Sequence, residues 1–371
     1  MKLTNILIKN SLLASITLLL ILTAGCSEIL YYGQATKGQL SLLLAQDDIR
    51  DLIEDENTPP DLRHRLSYLL QARQFAEEQL SLPTGDAYLD YVSLDRDYVL
   101  WNITAAEEFS LSGHQWCYPV VGCQSYRGYF SEKAAKDFAR SLHSSGLETW
   151  VSGIDAYSTL GWFDDPVLST FLKRDDTALA ALLFHELAHR VLYIDGDTAF
   201  NESFATAVEQ ASVKLWMQAR GTPDNYARYQ ENKNAYRVFV TMILATNQDL
   251  KKIYQSDLPV EEKRQQKQNA FADMREKFAQ ACTTDPTLCR FQGWVNGEMN
   301  NAKLITVANY HQHVDAFMRL LTMHADDFSA FFKEAARLGE LPEAQRQLAL
   351  MQLSDEASSD EASSDKSSND K

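Results

Sequence analysis

The residues of this 371-residue chain best spaced for chemistry lie in Phe184-His-Glu-Leu-Ala-His-Arg190. On a helix, His185 and His189 at i and i+4 share one face a single turn apart, so both imidazoles can reach one ion. Glu186 is rotated by about 100° from His185, which sets its carboxylate beside that ion and within reach of a water proton. Leu182, Leu183, Leu187 and Val191 supply an apolar side that anchors the helix. A catalytic zinc takes three protein ligands and keeps one position open for water. Asn201-Glu-Ser-Phe-Ala-Thr-Ala-Val-Glu209 offers the third. The turn signal Asp195-Gly196-Asp197 lets a second helix fold back antiparallel to the first, and Glu202 then faces the two histidines from its first turn. Glu209 shares that face about 10 Å further along the axis, which suits a carboxylate behind the ligands better than a ligand. His185, His189 and Glu202 are therefore the expected Zn2+ ligands, and Glu186 the expected general base.

The elements around these helices read less sharply. Thr177–Met217 is helical in period apart from the 195–197 interruption, and Asp61–Leu82 is helical after the Pro59-Pro60 start signal. Residues 223–281, 300–324 and 326–350 carry the same period, and Ala134–His143 a shorter helix. Tyr98–Ala105, Tyr126–Phe130 and Thr149–Ile154 have the β-branched and aromatic content of strands. The expected fold is α+β, helix-dominated, with a small sheet in the N-terminal half. No Pro-, Gly- or Ser-rich linker interrupts the chain between Cys26 and Gln352, so residues 26–353 read as a single domain. From Ser354 to Lys371 no residue is both larger and more apolar than alanine, which reads as a disordered acidic tail.

Composition narrows the function. Lys and Arg number 35 against 51 Asp and Glu, and a net charge of −16 excludes a phosphate backbone as partner. An apolar content of 45% excludes wholesale disorder. Lys2 and Lys9, the apolar run Leu12–Thr23, and then Ala24, Gly25 and Cys26 form a secretory signal peptide over residues 1–25. The run falls short of the roughly 18 residues that a membrane-spanning helix needs. Leu22-Thr-Ala-Gly-Cys26 resembles the lipobox of bacterial lipoproteins, which implies acyl chains on Cys26 and a lipid anchor in the membrane. Ser27 resembles the sorting context of outer-membrane lipoproteins, implying a cell-envelope protein on the periplasmic face of that membrane. An exported chain meets an oxidising compartment, so Cys117, Cys123, Cys282 and Cys289 are expected in disulfides before metal sites. The two local pairings, Cys117–Cys123 and Cys282–Cys289, cost least in loop closure.

His185-Glu-Leu-Ala-His189 followed by Asn201-Glu-Ser-Phe-Ala205 resembles the gluzincin metallopeptidases, and within them the aminopeptidase N group. The rest of the chain is similar to a family of bacterial lipoproteins described as aminopeptidases. The matching blocks are Tyr31-Tyr-Gly-Gln34, Trp116–Phe130, Ala156–Pro166 and Asn300-Asn-Ala-Lys-Leu304. The resemblance implies a gluzincin-like zinc helix pair, a peptide substrate, and hydrolysis by a zinc-activated water with Glu186 as base. It also implies a Tyr or His donor for the oxyanion. Tyr310, in Ala-Asn-Tyr-His-Gln-His313, is the first candidate, followed by His311 and His313. Tyr157–Phe163 stands where gluzincins place the edge strand that pairs with an extended substrate. Two departures mark this chain. Twelve residues separate His189 from Glu202, a shorter spacer than in the aminopeptidase N group. No Gly-Ala-Met-Glu-Asn-type segment, whose glutamate holds the substrate amine in that group, stands upstream of the histidines. The competing expectation is a non-catalytic lipoprotein in which zinc only staples two helices and the body binds a cell-envelope partner. A structural site has no use for a base at Glu186, and it wants a fourth protein ligand.

Overall fold

The computed structural model describes residues 28–118, 122–156, 159, 163–308 and 313–354. The leader, Cys26, Tyr310, His311, the tail beyond Ser354 and most of Tyr157–Phe163 lie outside the described residues. In chain order the elements are α1 (28–43), β1 (Asp47–Asp48), α2 (Ile49–Glu54), α3 (Pro60–Leu80), β2 (Asp90–Val92), β3 (Leu100–Glu107), β4 (Trp116–Tyr118), β5 (Gly122–Gln124) and β6 (Arg127–Tyr129). There follow α4 (Glu132–Ser144), β7 (Leu147–Ile154), β8 (Val167–Leu168), α5 (Asp176–His189), α6 (Thr198–Arg220), α7 (Pro223–Gln255) and α8 (Val260–Thr284). A 3-10 turn at Pro286–Phe291 leads to α9 (Gln292–Asn296), α10 (Asn301–Ala308), α11 (Val314–Met323), α12 (Phe328–Gly339) and α13 (343–354). The fold is α+β and helix-dominated, and the described strands all fall between Asp47 and Leu168. No helix among the described residues is long and apolar enough to cross a membrane.

Strands β6, β3 and β7 form an antiparallel sheet in that order, with Asn102 paired to Gly128 on one side and Ser152 on the other. A second small sheet has the order β1, β2, β8, and β4 pairs β5 as a hairpin. The expected cysteine pairs are both present. Cys117 and Cys123 stand opposite each other across the hairpin, and Cys282 at the end of α8 joins Cys289 in the 3-10 turn. Several element ends moved. Ser81 takes a left-handed conformation and closes α3 two residues before Leu82, and Ser354 still belongs to α13 instead of opening the tail.

Helices α5 and α6 are seated on one apolar cluster shared with α3, α11 and α12. Phe184, Phe200, Phe204, Phe317 and Phe331 are fully buried there, with the Phe204 ring 5.6 Å from those of both Phe317 and Phe331. A second cluster, around Phe239, Ile243, Phe271 and Phe278, joins α7 to α8.

The short connection between α5 and α6 is set by polar contacts. Gly196, with φ of 76°, makes a turn that favours glycine. The Asp197 carboxylate caps α6 by accepting from the Phe200 N–H at 3.0 Å. Its other oxygen accepts from Arg346 of α13 at 2.7 and 2.9 Å, with both side chains buried. The Asn201 amide accepts from the Ile194 N–H at 2.7 Å and donates to the Ile194 carbonyl at 2.8 Å. Removing one partner of a buried ion pair leaves the other charge stranded, at a cost of about 3–5 kcal/mol. Arg346→Ala should therefore lower the urea midpoint by that equivalent with the slope unchanged. A midpoint within error of wild type would show that Asp197 does not depend on Arg346.

Candidate active site

The last turns of α5 and the first turns of α6 run past each other in opposite order, bringing His185 to Glu202 and Glu209 and His189 to Glu202 alone. His185 Nε2 lies 3.3 Å from Glu202 Oε2, and His189 Nε2 lies 3.8 Å from Glu202 Oε1. One ligand atom from each of the three falls within 4.8 Å of the others, so His185, His189 and Glu202 can hold a metal ion. The imidazole rings meet edge to face, their centroids 5.0 Å apart. Glu209 stands behind them. Its Oε2 accepts from His185 Nδ1 at 3.3 Å, and its Oε1 accepts from Lys233 Nζ at 2.5 Å and the Tyr229 hydroxyl at 2.9 Å. With Nδ1 committed to Glu209, Nε2 is the His185 nitrogen that faces an ion. Nothing in the sequence period pointed to Lys233 and Tyr229, which come from α7.

Burial and charge set the protonation of this cluster. Burial raises the Glu186 carboxyl, the His185 charge opposes it and Glu202 adds to it, with the result at about 7. Burial lowers His189 to about 4. Burial acts the same way on His185, but the hydrogen bonds to Glu202 and Glu209 outweigh it and push that imidazole up to about 10. Burial would raise Glu209, yet Lys233 and His185 hold it down at about 2. Glu186, Glu202 and Glu209 therefore bring three carboxyl groups around two imidazoles, with Lys233 paired to the last of them. The donors are two nitrogens and one carboxylate on one side of an open cavity, the set expected of a catalytic zinc and one that fits it.

That cavity has a volume of about 810 Å³ and takes Glu186 as well as His185, His189 and Glu202 into its wall. The sheet contributes Asn102, Gly128 and Ile154, with Asp155 just past the end of β7, while Tyr236 and Phe291 close the side of the second cluster. Asp155 is paired with Arg174 at 2.8 Å on this wall. Tyr126, also on the wall, is a phenol pushed up by burial and then by the charges of Glu202 and Glu186.

The other expected residues fare differently. His313 is in the interior at 1% exposure, at the N-cap position of α11, where its backbone N–H donates to Ser203 Oγ at 3.1 Å, and it does not line the cavity. It is too enclosed by α6 to meet a substrate. Tyr310 and His311 lie outside the described residues. Of Tyr157–Phe163 only Thr159 and Phe163 are described, tied to each other by the Thr159 hydroxyl. The chain reaches the cavity just before that segment, at Ile154, Asp155 and Ala156.

A family model described as "Putative aminopeptidase" matches residues 30–350 of this chain. No curated protein and no solved structure matches it.

Proposed function

The chain belongs to the family described as putative aminopeptidases, and from that premise we propose that it is a zinc metallopeptidase acting as an aminopeptidase, lipid-anchored through Cys26 on the periplasmic face of the outer membrane. The observation that carries the catalytic part is the convergence of His185, His189 and Glu202 with Glu186 beside them on one cavity. Zinc, when bound by those three residues, supplies Lewis-acid polarisation of the scissile carbonyl and acidifies a water. Glu186 takes the water proton as general base and later hands it to the leaving amine. Glu209, itself held by Lys233 and Tyr229, fixes the His185 ring for its role. The oxyanion needs a protein donor. Tyr310 is the assignment from the resemblance, and among the described residues Tyr126 and Tyr193 are phenols on the cavity wall. The alternative of a purely structural staple gives no reason for a buried carboxylate at Glu186 or for the open cavity before it.

Peptides with free and acetylated N-termini test the exopeptidase part of this reading. The purified protein with added zinc should cleave the free series faster by at least about 10²-fold, since a site built to bind the amine discriminates strongly against its loss. Equal rates would make the enzyme an endopeptidase. Absence of cleavage in both series, with zinc shown to be bound, would favour the structural staple.

A further inference from the structure

Away from the cavity, exposed large apolar side chains among the described residues gather on α1. Ile29, Leu30, Tyr32, Leu40 and, in the turn that follows, Leu44 are exposed by 42% to 86%. At about 100° per residue, Ile29, Gly33, Thr36, Leu40 and Leu44 fall on one outward face. Lys37 is the charge on that face, and no acidic residue stands there. In a chain with net charge −16, a solvated helix face would be expected to carry acids.

The other side of α1 fixes how the helix is turned. Its inward face is fixed to β6 and the hairpin by specific contacts. The Phe130 N–H donates to Gln34 Oε1 at 3.0 Å, and Gln34 Nε2 donates to the Gly128 carbonyl at 3.5 Å. The Tyr31 ring stacks on Tyr118 with centroids 5.8 Å apart, and the Arg127 guanidinium lies 3.7 Å from the Tyr31 ring centre. Gly38 sits so close to the Phe130 ring that a Cβ there would fall within 2.2 Å of it, which locks the face in contact. The apolar residues are therefore held outward.

The position of this helix in the chain names what covers them. Glu28 follows Cys26 by two residues and the apolar run Leu12–Thr23 by five. Whether the bilayer holds acyl chains on Cys26 or the apolar run itself, a few residues at no more than about 3.6 Å each bring α1 to its surface. We propose that the outward face of α1 is a membrane-docking surface, with Ile29, Leu30, Tyr32, Leu40 and Leu44 in the headgroup–acyl boundary and Lys37 among the lipid phosphates. The inward face of the same helix gives Tyr31 and Ala35 to the cavity wall. Docking thus holds the cavity about one helix diameter, roughly 10 Å, above the leaflet. This inference rests on the apolar face of α1 and its place in the chain, and not on peptidase activity.

The test uses the chain from residue 26 with Cys26→Ser, whose described fold begins at Glu28, so that α1 acts without an acyl anchor and without a free thiol. It should float with phosphatidylcholine vesicles, and Leu40→Glu/Leu44→Glu should weaken that binding at least tenfold. A bimane attached at Leu40→Cys should be quenched by brominated phosphatidylcholine and sheltered from iodide on vesicles. The same label at Met323→Cys, exposed on the far end of α11, should stay open to iodide. Failure of the unacylated chain to float, or a Leu40 label equally open to iodide with and without vesicles, would overturn the proposal. A label sheltered from iodide before vesicles are added would also overturn it, since a second copy of the chain would then cover the face. None of these readouts uses hydrolysis, so they stand apart from the test of the enzyme.

Discussion

Glu186→Gln should keep the fold and the metal while peptide hydrolysis falls by about 10⁴-fold, the top of the range for general acid–base assistance. The effect should sit at that end because the amide can neither accept the water proton nor deliver one to the leaving amine. It should appear in kcat, with KM little changed, because Glu186 contacts the water and not the peptide. The replacement is nearly isosteric and removes a carboxyl that burial already disfavours as an anion, so unfolding is not an alternative explanation for lost activity. The pH profile adds a second readout. Activity needs the Glu186 carboxylate, so it should fall as pH drops through the folded pKa. That value is about 7 with only the protein's own charges present. A bound cation favours the carboxylate, so in the loaded enzyme the acidic limb should lie below 7. A zinc-loaded Glu186→Gln protein with near-normal kcat would place the chemistry elsewhere.

How far the sequence discloses this site depends on the kind of signal. The i, i+4 histidines and the glutamate one position on from the first are fixed by helix geometry alone, and α5 carries them as that geometry requires. Glu202 needed a turn in the right place. The Asp195-Gly196-Asp197 signal marks it, because glycine at positive φ and aspartate at a helix start are local preferences. Glu209 was placed behind the ligands by rise per residue, and it does stand behind His185. What holds that carboxylate was invisible, because Lys233 and Tyr229 approach from α7 through tertiary packing that no local period reports. Arg346 is a similar case, 149 residues from the Asp197 it pairs with. The longer helices were legible and their ends less so, as left-handed Ser81 shows. Strands β3, β6 and β7 have enough β-branched and aromatic residues to be seen. Strands of two or three residues, such as β1, β2 and β8, exist only through their partners and leave no pattern of their own. The docking face of α1 shows a further limit. Its apolar residues have helical spacing, but only the contacts of Gln34 and Tyr31 tell which face is turned outward.

The purified mature protein should bind about one zinc per chain, and His185→Ala and Glu202→Ala should each lose it. Glu209→Gln separates a ligand from its support. It leaves all three donors in place and removes the anion that orients His185, so zinc should still bind but about 10–100-fold more weakly. Equilibrium dialysis against graded zinc concentrations reads both effects. Stability gives an independent measure, since ligand present at 1,000 times its Kd stabilises the folded state by about 4 kcal/mol. Chelation should therefore lower the wild-type Tm and leave that of His185→Ala unmoved. Without metal the two ligand variants should also differ from each other. His185 at a raised pKa is a cation lying between Glu202 and Glu209. His185→Ala removes that charge and leaves two carboxylates facing each other, so metal-free His185→Ala should be less stable than the metal-free wild type. Glu202→Ala instead removes one anion from a crowd of three, which the metal-free protein should tolerate better. Full zinc occupancy in Glu202→Ala, together with its loss in Glu209→Gln, would move the third ligand seven residues along α6 and leave Glu202 as the support.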